Sequence, residues 1–181
     1  MLQRIFLAIN LPVKVKEELL GYKEKWSELP LRWTAQDNLH ITLLFLGNTS
    51  VKELENVQEI TRSVAANHAP FTLSLSHITY GPTEKQPKMI WAKGDESKEL
   101  LSLQQDLAKA LSHQEEESFS LHVTLARLNA WEFKKIEPEE RPHVEEEISL
   151  EIPVSSFQIM ESKLRQTGPE YSTIEDIPLT T

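Results

Sequence analysis

The sequence contains no cysteine. This absence excludes disulfide bonds, cysteine-ligated iron–sulfur clusters and thiolate zinc sites. No apolar run approaches the roughly 20 residues that a membrane helix needs. The short apolar stretch at residues 5–9 is not followed by a small-residue cleavage site, so we interpret it as a first strand rather than a signal peptide. We therefore expect a cytoplasmic protein with no membrane segment.

Positive charge is also scarce. The chain has 19 Lys and Arg residues against 28 Asp and Glu residues, which gives a formal net charge of -9. A surface that grips many phosphates of a nucleic-acid duplex is usually basic, so long-range capture of a polynucleotide is disfavoured. A ligand held by a few local contacts, such as a nucleotide or an RNA end, remains compatible with this charge.

Sequence periodicity predicts an α+β fold. Helical spacing begins at Pro12 and recurs at 97–113, and Ser50 with Glu53 predicts a capping box that starts a further helix. Charged, proline-broken residues 132–143 are predicted to form a loop. No linker divides the 181 residues, so we expect a single domain over residues 1–181 with helices outside largely antiparallel sheets. The predicted strands are 3–10, 31–34, 38–46 (stopped by Gly47), 71–76, 88–92, 118–128, 147–152, 155–163 and 171–179.

Two segments of the chain repeat one pattern. Residues 39–43 read LHITL and residues 121–125 read LHVTL, with the two histidines 82 residues apart. Because side chains alternate along a strand, His40 and Thr42 share one face, and His122 and Thr124 share another. Burying such groups unpaired costs roughly 1–3 kcal/mol each, so their place on apolar strands needs a reason. The pattern indicates a duplicated half whose two polar pairs face each other across a cleft.

That arrangement suits displacement at phosphorus. In-line attack requires a base on one side and an acid on the other, and histidine performs either role near neutral pH. The hydroxyls of Thr42 and Thr124 are expected to donate to the phosphate oxygens, where charge develops. Arg127 offers a fixed positive charge. It follows His122 by five residues, so it reaches a phosphate only if the strand bulges or bends near Ala126.

Other interpretations of the repeated motif are weaker. One His-x-Thr triplet on a strand is usually structural, but two near-identical copies in matching contexts are less easily accidental. A zinc site needs about three protein ligands, and neither motif is accompanied by a third, so no metal is predicted. We interpret the remaining histidines as parts of local structure: His68, His77, His113 and His143.

Together these features resemble the two-histidine phosphoesterase superfamily, in particular the RNA 2',3'-cyclic phosphodiesterases, also called 2'-5' RNA ligases. The motifs at residues 40–43 and 122–125 are the main basis, supported by residues 4–9, 38–47 and 162–171. The resemblance implies a bilobal fold with a pseudo-dyad and a cleft between the lobes. It implies no metal or other cofactor, hydrolysis of a 2',3'-cyclic phosphate on an RNA or nucleotide end to a 2'-phosphate, and weak 2'-5' ligation.

The resemblance also bears on single residues. Arg127 matches an arginine of the second family motif. Phe6 matches a position expected to stack on the terminal base, and the alternative is a core phenylalanine. Trp91 and Tyr171 either line the cleft or pack in the core, and core packing is favoured for each.

Several alternatives stay open on the sequence. The near-symmetric motifs do not assign which histidine is the acid and which is the base. The substrate is alternatively another cyclic or 2'-5' phosphodiester. The shape of the pocket selects the substrate, and the sequence reveals that shape poorly. A non-catalytic binder of nucleotides or RNA ends is a further alternative, although binding alone needs no acid–base pair. A monomer is expected, since the cleft is built within one chain.

Overall fold

The computed structural model describes residues 2–113, 118–166 and 168–180. Within these residues, nine strands form two antiparallel sheets, with the orders β3-β1-β8-β9 and β2-β6-β5-β4-β7. The predicted α+β class with two antiparallel sheets is confirmed. The strands are β1 Leu2–Asn10, β2 Leu31–Trp33, β3 His40–Ser50, β4 Phe71–Gly81, β5 Met89–Gly94, β6 His122–Leu128, β7 Glu145–Val154, β8 Ser156–Arg165 and β9 Gly168–Pro178.

Four helices accompany the sheets in the described part of the chain: α1 Val13–Leu20, α2 Val51–Ala65, α3 Lys98–Ala110 and α4 Ala130–Phe133. Each of the three longer helices buries one face and exposes the other, as amphipathic spacing requires. None of the helices in the described residues is long and apolar enough to cross a membrane.

The predicted start of α2 is confirmed. The Ser50 hydroxyl accepts a hydrogen bond from the Glu53 amide, and the Glu53 carboxylate accepts one from the Ser50 amide at 2.7 Å, which completes the capping box. Two further predictions need correction. The helical spacing from Pro12 was predicted to run as one helix to Pro30, but α1 ends at Leu20 and is followed by a 3-10 turn to Trp26. The first residues of the predicted loop, 132 and 133, belong to α4, because the Asn129 side chain caps two backbone amides at the start of that helix.

Strand β3 passes through Gly47 instead of stopping there. Gly47 has φ +74, which only glycine adopts readily, and the pairing register of β3 with β1 shifts at this point. The chain therefore bulges and continues as a strand to Ser50. Strand β4 likewise extends to Gly81, beyond its predicted end, whereas β6 begins at His122 rather than at residue 118.

Strands β3 and β6 share a second irregularity. In the pairing of β3 with β1, Leu43 is an extra residue, and in the pairing of β6 with β5, Leu125 is an extra residue. Each bulge comes three residues after the histidine of its motif. The two halves therefore repeat each other in backbone geometry as well as in sequence, as a pseudo-dyad requires.

Both sheets mix strands from distant parts of the chain. Strand β2 lies in the same sheet as β4 to β7, whereas β8 and β9 lie in the same sheet as β1 and β3. One continuous apolar core contains buried residues from both sheets, including Leu7, Ile41, Ile90 and Val123. The two motif strands are thus fixed against a common core.

Candidate active site

A cleft of about 1140 Å³ is lined by residues of both sheets. The five residues predicted from the two motifs all line it: His40, Thr42, His122, Thr124 and Arg127. The strand alternation places Ile41 and Val123 in the core on the opposite face, where both are fully buried. The motif strands therefore direct their polar side chains into one shared space.

The bulge in β6 returns Arg127 to the cleft. Leu125 and the next residue, Ala126, are both fully buried, so the alternation of faces is interrupted for one residue. Arg127 is consequently exposed and lines the cleft on the same face as His122 and Thr124. The sequence analysis predicted that Arg127 would reach the cleft only if the strand bulged or bent near Ala126. The structure contains such a bulge.

Main-chain carbonyl groups fix the proton position on both imidazoles. The Nδ1 atom of His40 lies 2.7 Å from the Asn38 carbonyl oxygen, and that of His122 lies 2.9 Å from the Ser120 carbonyl oxygen. A carbonyl oxygen only accepts, so Nδ1 carries the hydrogen in both rings. In the neutral form each ring therefore keeps the lone pair on Nε2.

The threonines of the two motifs have different contacts. The Thr42 hydroxyl lies 2.9 Å from His40 Nε2 and donates to it while the ring is neutral. The Thr124 hydroxyl lies 4.0 Å from the Met89 sulfur. The main-chain oxygen of Thr124 accepts a 2.9 Å hydrogen bond from the Thr34 hydroxyl. This last bond ties β6 to the segment after β2.

The two imidazoles also pack against different rings. The His122 ring stacks on Trp91, with centroids 3.9 Å apart and planes inclined by 20°. A Cβ at position 81 would lie 2.3 Å from the indole, so Gly81 is required for Trp91 to take this place. Strand pairing puts Trp91 opposite Thr124, and the corresponding position opposite Thr42 is occupied by an alanine. The stack is therefore a feature of one half only.

Burial lowers the pKa of His40 below its ordinary value, and this is the largest effect on that group. The hydrogen bond to the Asn38 carbonyl opposes the shift. The positive charges of Lys16, His122 and Arg127 lower the pKa further. The lowered pKa of His40 favours its neutral form at pH 7.

Burial is also the main reason that the pKa of His122 is lowered. The Ser120 carbonyl again opposes the shift, and the charge of Lys93 adds to it. Both imidazoles thus have a pKa on the acid side of 6.5, the ordinary histidine value. Desolvated imidazoles with lowered pKa values in a cleft are typical of acid–base sites.

The aromatic predictions need correction. Phe6 is 2% exposed and packs beneath His40 and Tyr171, with ring centroids 5.2 and 5.0 Å away. It lies on a central strand of its sheet, so its ring is covered and the expected stacking position for a base is not available there. Tyr171, for which core packing was favoured, is partly exposed and lines the cleft. Trp91 is both buried and part of the cleft lining.

One protein family matches most of the chain. The family model of the 2'-5' RNA ligase superfamily matches residues 18–165. The chain belongs to the 2'-5' RNA ligase superfamily. This match confirms the resemblance drawn from the two motifs.

Relatives in the superfamily resemble this chain over nearly its whole length. A Thermus thermophilus protein named RNA 2',3'-cyclic phosphodiesterase is 30% identical, covering 97% of this chain and 90% of the relative. A Thermotoga maritima protein of the same name is 27% identical, and the match covers 94% of this chain and 92% of the relative. The crystal structure of the Thermus thermophilus protein TT0787 has a TM-score of 0.82 and 29% identity, covering 97% of each chain.

Phe45 and Arg32 are among the cleft-lining residues of this superfamily member that sequence reasoning missed. Phe45 is 66% exposed and lines the cleft, and Arg32 lines it from β2. A signal for Phe45 was present in the sequence, because it follows His40 by five residues, as Arg127 follows His122. The signal for Arg32 is a strand pairing, which the sequence does not display.

The other histidines have local partners for the most part. His68 lies 3.0 Å from Asp106, and His143 lies 2.7 Å from Glu145. His113, by contrast, lines the cleft. Across residues 2–113, 118–166 and 168–180, no group of three His, Cys, Asp or Glu residues is arranged to hold a metal ion.

Proposed function

We propose that this protein is an RNA 2',3'-cyclic phosphodiesterase that opens a 2',3'-cyclic phosphate to a 2'-phosphate, with His40 and His122 as a metal-independent acid–base pair. The observation that carries the proposal is that two matching bulged strands present two imidazoles, both with Nδ1 occupied by a main-chain carbonyl, to one cleft. The names of the relatives from Thermotoga maritima and Thermus thermophilus support the choice of reaction.

The reaction uses one neutral and one protonated imidazole. Nε2 of the neutral ring takes a proton from water, and the water oxygen forms a bond to phosphorus. The bond from phosphorus to the 3'-oxygen breaks on the opposite side, and the protonated ring gives its proton to that oxygen. The products are a 2'-phosphate monoester and a 3'-hydroxyl group, and the two rings have exchanged protonation states.

The developing negative charge is met by three groups of the motifs. The hydroxyls of Thr42 and Thr124 donate to the non-bridging oxygens, and the guanidinium of Arg127 adds a positive charge. On binding, the Thr42 hydroxyl exchanges its bond to His40 for a bond to the phosphate, which leaves Nε2 of His40 available for proton transfer. Pre-positioned donors of this kind need little rearrangement during the reaction.

Ligation uses the same groups. When the 5'-hydroxyl of a second RNA end takes the place of water, it loses its proton to the neutral ring and its oxygen attacks phosphorus. The bond from phosphorus to the 3'-oxygen breaks, that oxygen receives the proton of the protonated ring, and the two ends are joined by a 2'-5' linkage. We therefore propose a weak 2'-5' ligase activity at the same site. We further propose that residues 1–181 act as one bilobal domain and as a monomer, because both motifs line the cleft from within one chain. The absence of cysteine fits a reducing compartment, and on that ground we propose the cytoplasm.

The test is an assay in EDTA with an RNA oligonucleotide that ends in a 2',3'-cyclic phosphate, with the product position identified. We expect a 2'-phosphate product. We also expect His40→Ala and His122→Ala each to lower kcat by about 10²- to 10⁴-fold, the usual contribution of general acid–base catalysis.

His143→Ala is the matched control, because this histidine is exposed and its partner Glu145 does not line the cleft. It should retain full activity. A requirement for added metal, or near-native turnover by either motif variant, would contradict the mechanism. Binding without turnover would indicate a non-catalytic binder, and turnover confined to other phosphodiesters would redirect the substrate assignment.

A further inference from the structure

One sulfur atom in the cleft contacts two of the proposed phosphate-binding groups. Arg127 Nη1 donates to the Met89 sulfur at 3.4 Å, and the Thr124 hydroxyl lies 4.0 Å from the same atom. Strand pairing explains the contact, because Met89 on β5 is the register partner of Arg127 on β6. Side chains of such partners project from the same face of a sheet. The thioether, the guanidinium and the hydroxyl therefore share one part of the cleft lining.

This sulfur belongs to the second half of the molecule. In the first half, the corresponding strand position is occupied by Phe6, whose ring is buried. Met89 is instead partly exposed and lines the cleft. Of the methionines in the described residues, Met89 and Met160, only Met89 lines the cleft, and the chain has no cysteine. Met89 is therefore the sulfur that a small oxidant entering the cleft meets.

Oxidation would change the balance between this sulfur and a bound phosphate. A thioether is a weak hydrogen-bond acceptor, so Arg127 and Thr124 can leave it for a substrate phosphate at little cost. Methionine sulfoxide is polar, because its sulfur carries an oxygen atom that accepts hydrogen bonds. This oxygen would be formed on the atom at which the two donors already converge.

We propose that Met89 is an oxidation site whose sulfoxide inhibits the protein, because the new oxygen binds Arg127 and Thr124 in competition with the substrate phosphate. The oxidant is hydrogen peroxide. The sulfur lone pair forms a bond to one peroxide oxygen, the O–O bond breaks, and the proton of the bound oxygen passes to the departing hydroxide. Sulfur thus loses two electrons, and the peroxide is reduced to water. The inference rests on the proposed function, which assigns both donors to the phosphate.

The experiment treats the wild type with hydrogen peroxide until peptide mass spectrometry shows full conversion of Met89 to the sulfoxide, and then removes the peroxide with catalase. We expect kcat/KM for the cyclic-phosphate oligonucleotide to fall by about tenfold or more, the effect of one hydrogen bond to a charged group. The affinity for inorganic phosphate, measured by isothermal titration calorimetry, should also fall, while the melting temperature stays unchanged. Methionine sulfoxide reductases should restore both properties.

Three variants separate Met89 from the rest of the chain. Met89→Leu keeps an apolar side chain of similar volume, so peroxide should leave the variant at its own untreated kcat/KM. Met89→Gln introduces an amide oxygen as a fixed acceptor and should reproduce the inhibition without peroxide. Met160→Leu is the matched control, because Met160 contacts Thr173 at 3.3 Å and does not line the cleft. It should stay as sensitive to peroxide as the wild type.

Several results would overturn the inference. Full activity of the wild type with Met89 oxidised is one, and peroxide inhibition of equal size in Met89→Leu is another. Resistance of Met89 to peroxide that oxidises Met160 is a third, and a phosphate affinity that oxidation leaves unchanged is a fourth. Absence of turnover by the untreated wild type would refute the proposed function alone, because the phosphate affinity before and after oxidation still decides the role of Met89.

Discussion

At the scale of single residues, the two imidazoles have the same main-chain contact but different neighbours. The positive charges of Lys16 and Arg127 act on His40, whereas His122 is stacked on the Trp91 indole and is acted on by the charge of Lys93. The face of an aromatic ring attracts a cation, most strongly for tryptophan. The Trp91 Nε1–H is also buried, with no hydrogen-bond partner among the described residues. We infer that Trp91 positions His122 and stabilises its protonated form.

Replacing Trp91 therefore has a predictable effect on pH dependence. In Trp91→Leu the pKa of His122 should fall further below 6.5, because the imidazolium loses its aromatic partner. The limb of the kcat/KM profile that His122 controls should move toward acid pH, and the limb that moves reveals whether His122 is the acid or the base. The measurement is the pH profile of kcat/KM together with the NMR titration of the ring.

Trp91→Phe provides the comparison, because a phenyl ring keeps a weaker version of the same contact. The pKa of His122 in Trp91→Phe should lie between its values in the wild type and in Trp91→Leu. Identical titrations in all three proteins would mean that the indole only fills space beside His122.

At the scale of elements, the bulges in β3 and β6 decide which side chains reach the cleft. The sequence predicted the four His and Thr positions correctly as cleft-facing, because strand alternation over three residues is a local property. It did not decide whether Arg127 faces the cleft and did not identify Phe45 as a cleft residue, because each of them follows a bulge in its strand. A bulge depends on the register with a neighbouring strand, and that partner is distant in the chain.

The bulge in β3 leads to a prediction about Phe45. This ring is 66% exposed in the cleft, and stacking a base on an aromatic ring contributes about 1–3 kcal/mol. Phe45→Ala should therefore lower kcat/KM for cyclic nucleotides by roughly tenfold while the melting temperature stays near that of the wild type. Phe6→Ala should instead destabilise the fold by about 3–5 kcal/mol, because Phe6 is buried.

Steady-state kinetics and thermal unfolding of both variants check this assignment. A loss of stability in Phe45→Ala equal to that in Phe6→Ala would place Phe45 in the core. Unchanged kcat/KM in Phe45→Ala would remove its role in base binding.

At the scale of the whole molecule, the buried histidines link stability to pH. The pKa of each is lowered in the folded state, so between that pKa and 6.5 the unfolded chain binds more protons than the folded one. The free energy of unfolding then rises with pH across this interval. Their contribution is fully present above pH 6.5 and is lost as the pH falls through the lowered values.

We expect the double variant His40→Asn/His122→Asn to lose part of the decline in stability between about pH 7 and pH 5. Urea unfolding at several pH values measures this slope. His143→Asn, which alters an exposed side chain, should keep the wild-type slope. A wild-type slope in the double variant would show that other groups set the acid sensitivity.

The overall architecture was predictable in class but not in strand order. Helical and alternating spacing indicated α+β, and the repeated motif indicated two related halves. The exchange of strands between the sheets, with β2 in one and β8 and β9 in the other, depends on contacts between distant residues. For the same reason the pairing of Arg32 with Arg127 was not visible in the sequence.

The main-chain carbonyls beneath the imidazoles have a consequence for protein engineering. The residues two positions before the histidines differ, being Asn38 and Ser120, yet each supplies its main-chain oxygen to Nδ1. Their side chains have further contacts, because the Asn38 amide donates to the Pro169 carbonyl at 2.9 Å and the Ser120 hydroxyl lies 3.5 Å from His122 Nδ1. A library at position 120 could therefore reshape the entrance while the main-chain contact to Nδ1 is kept, whereas a library at position 38 would also remove a contact to strand β9.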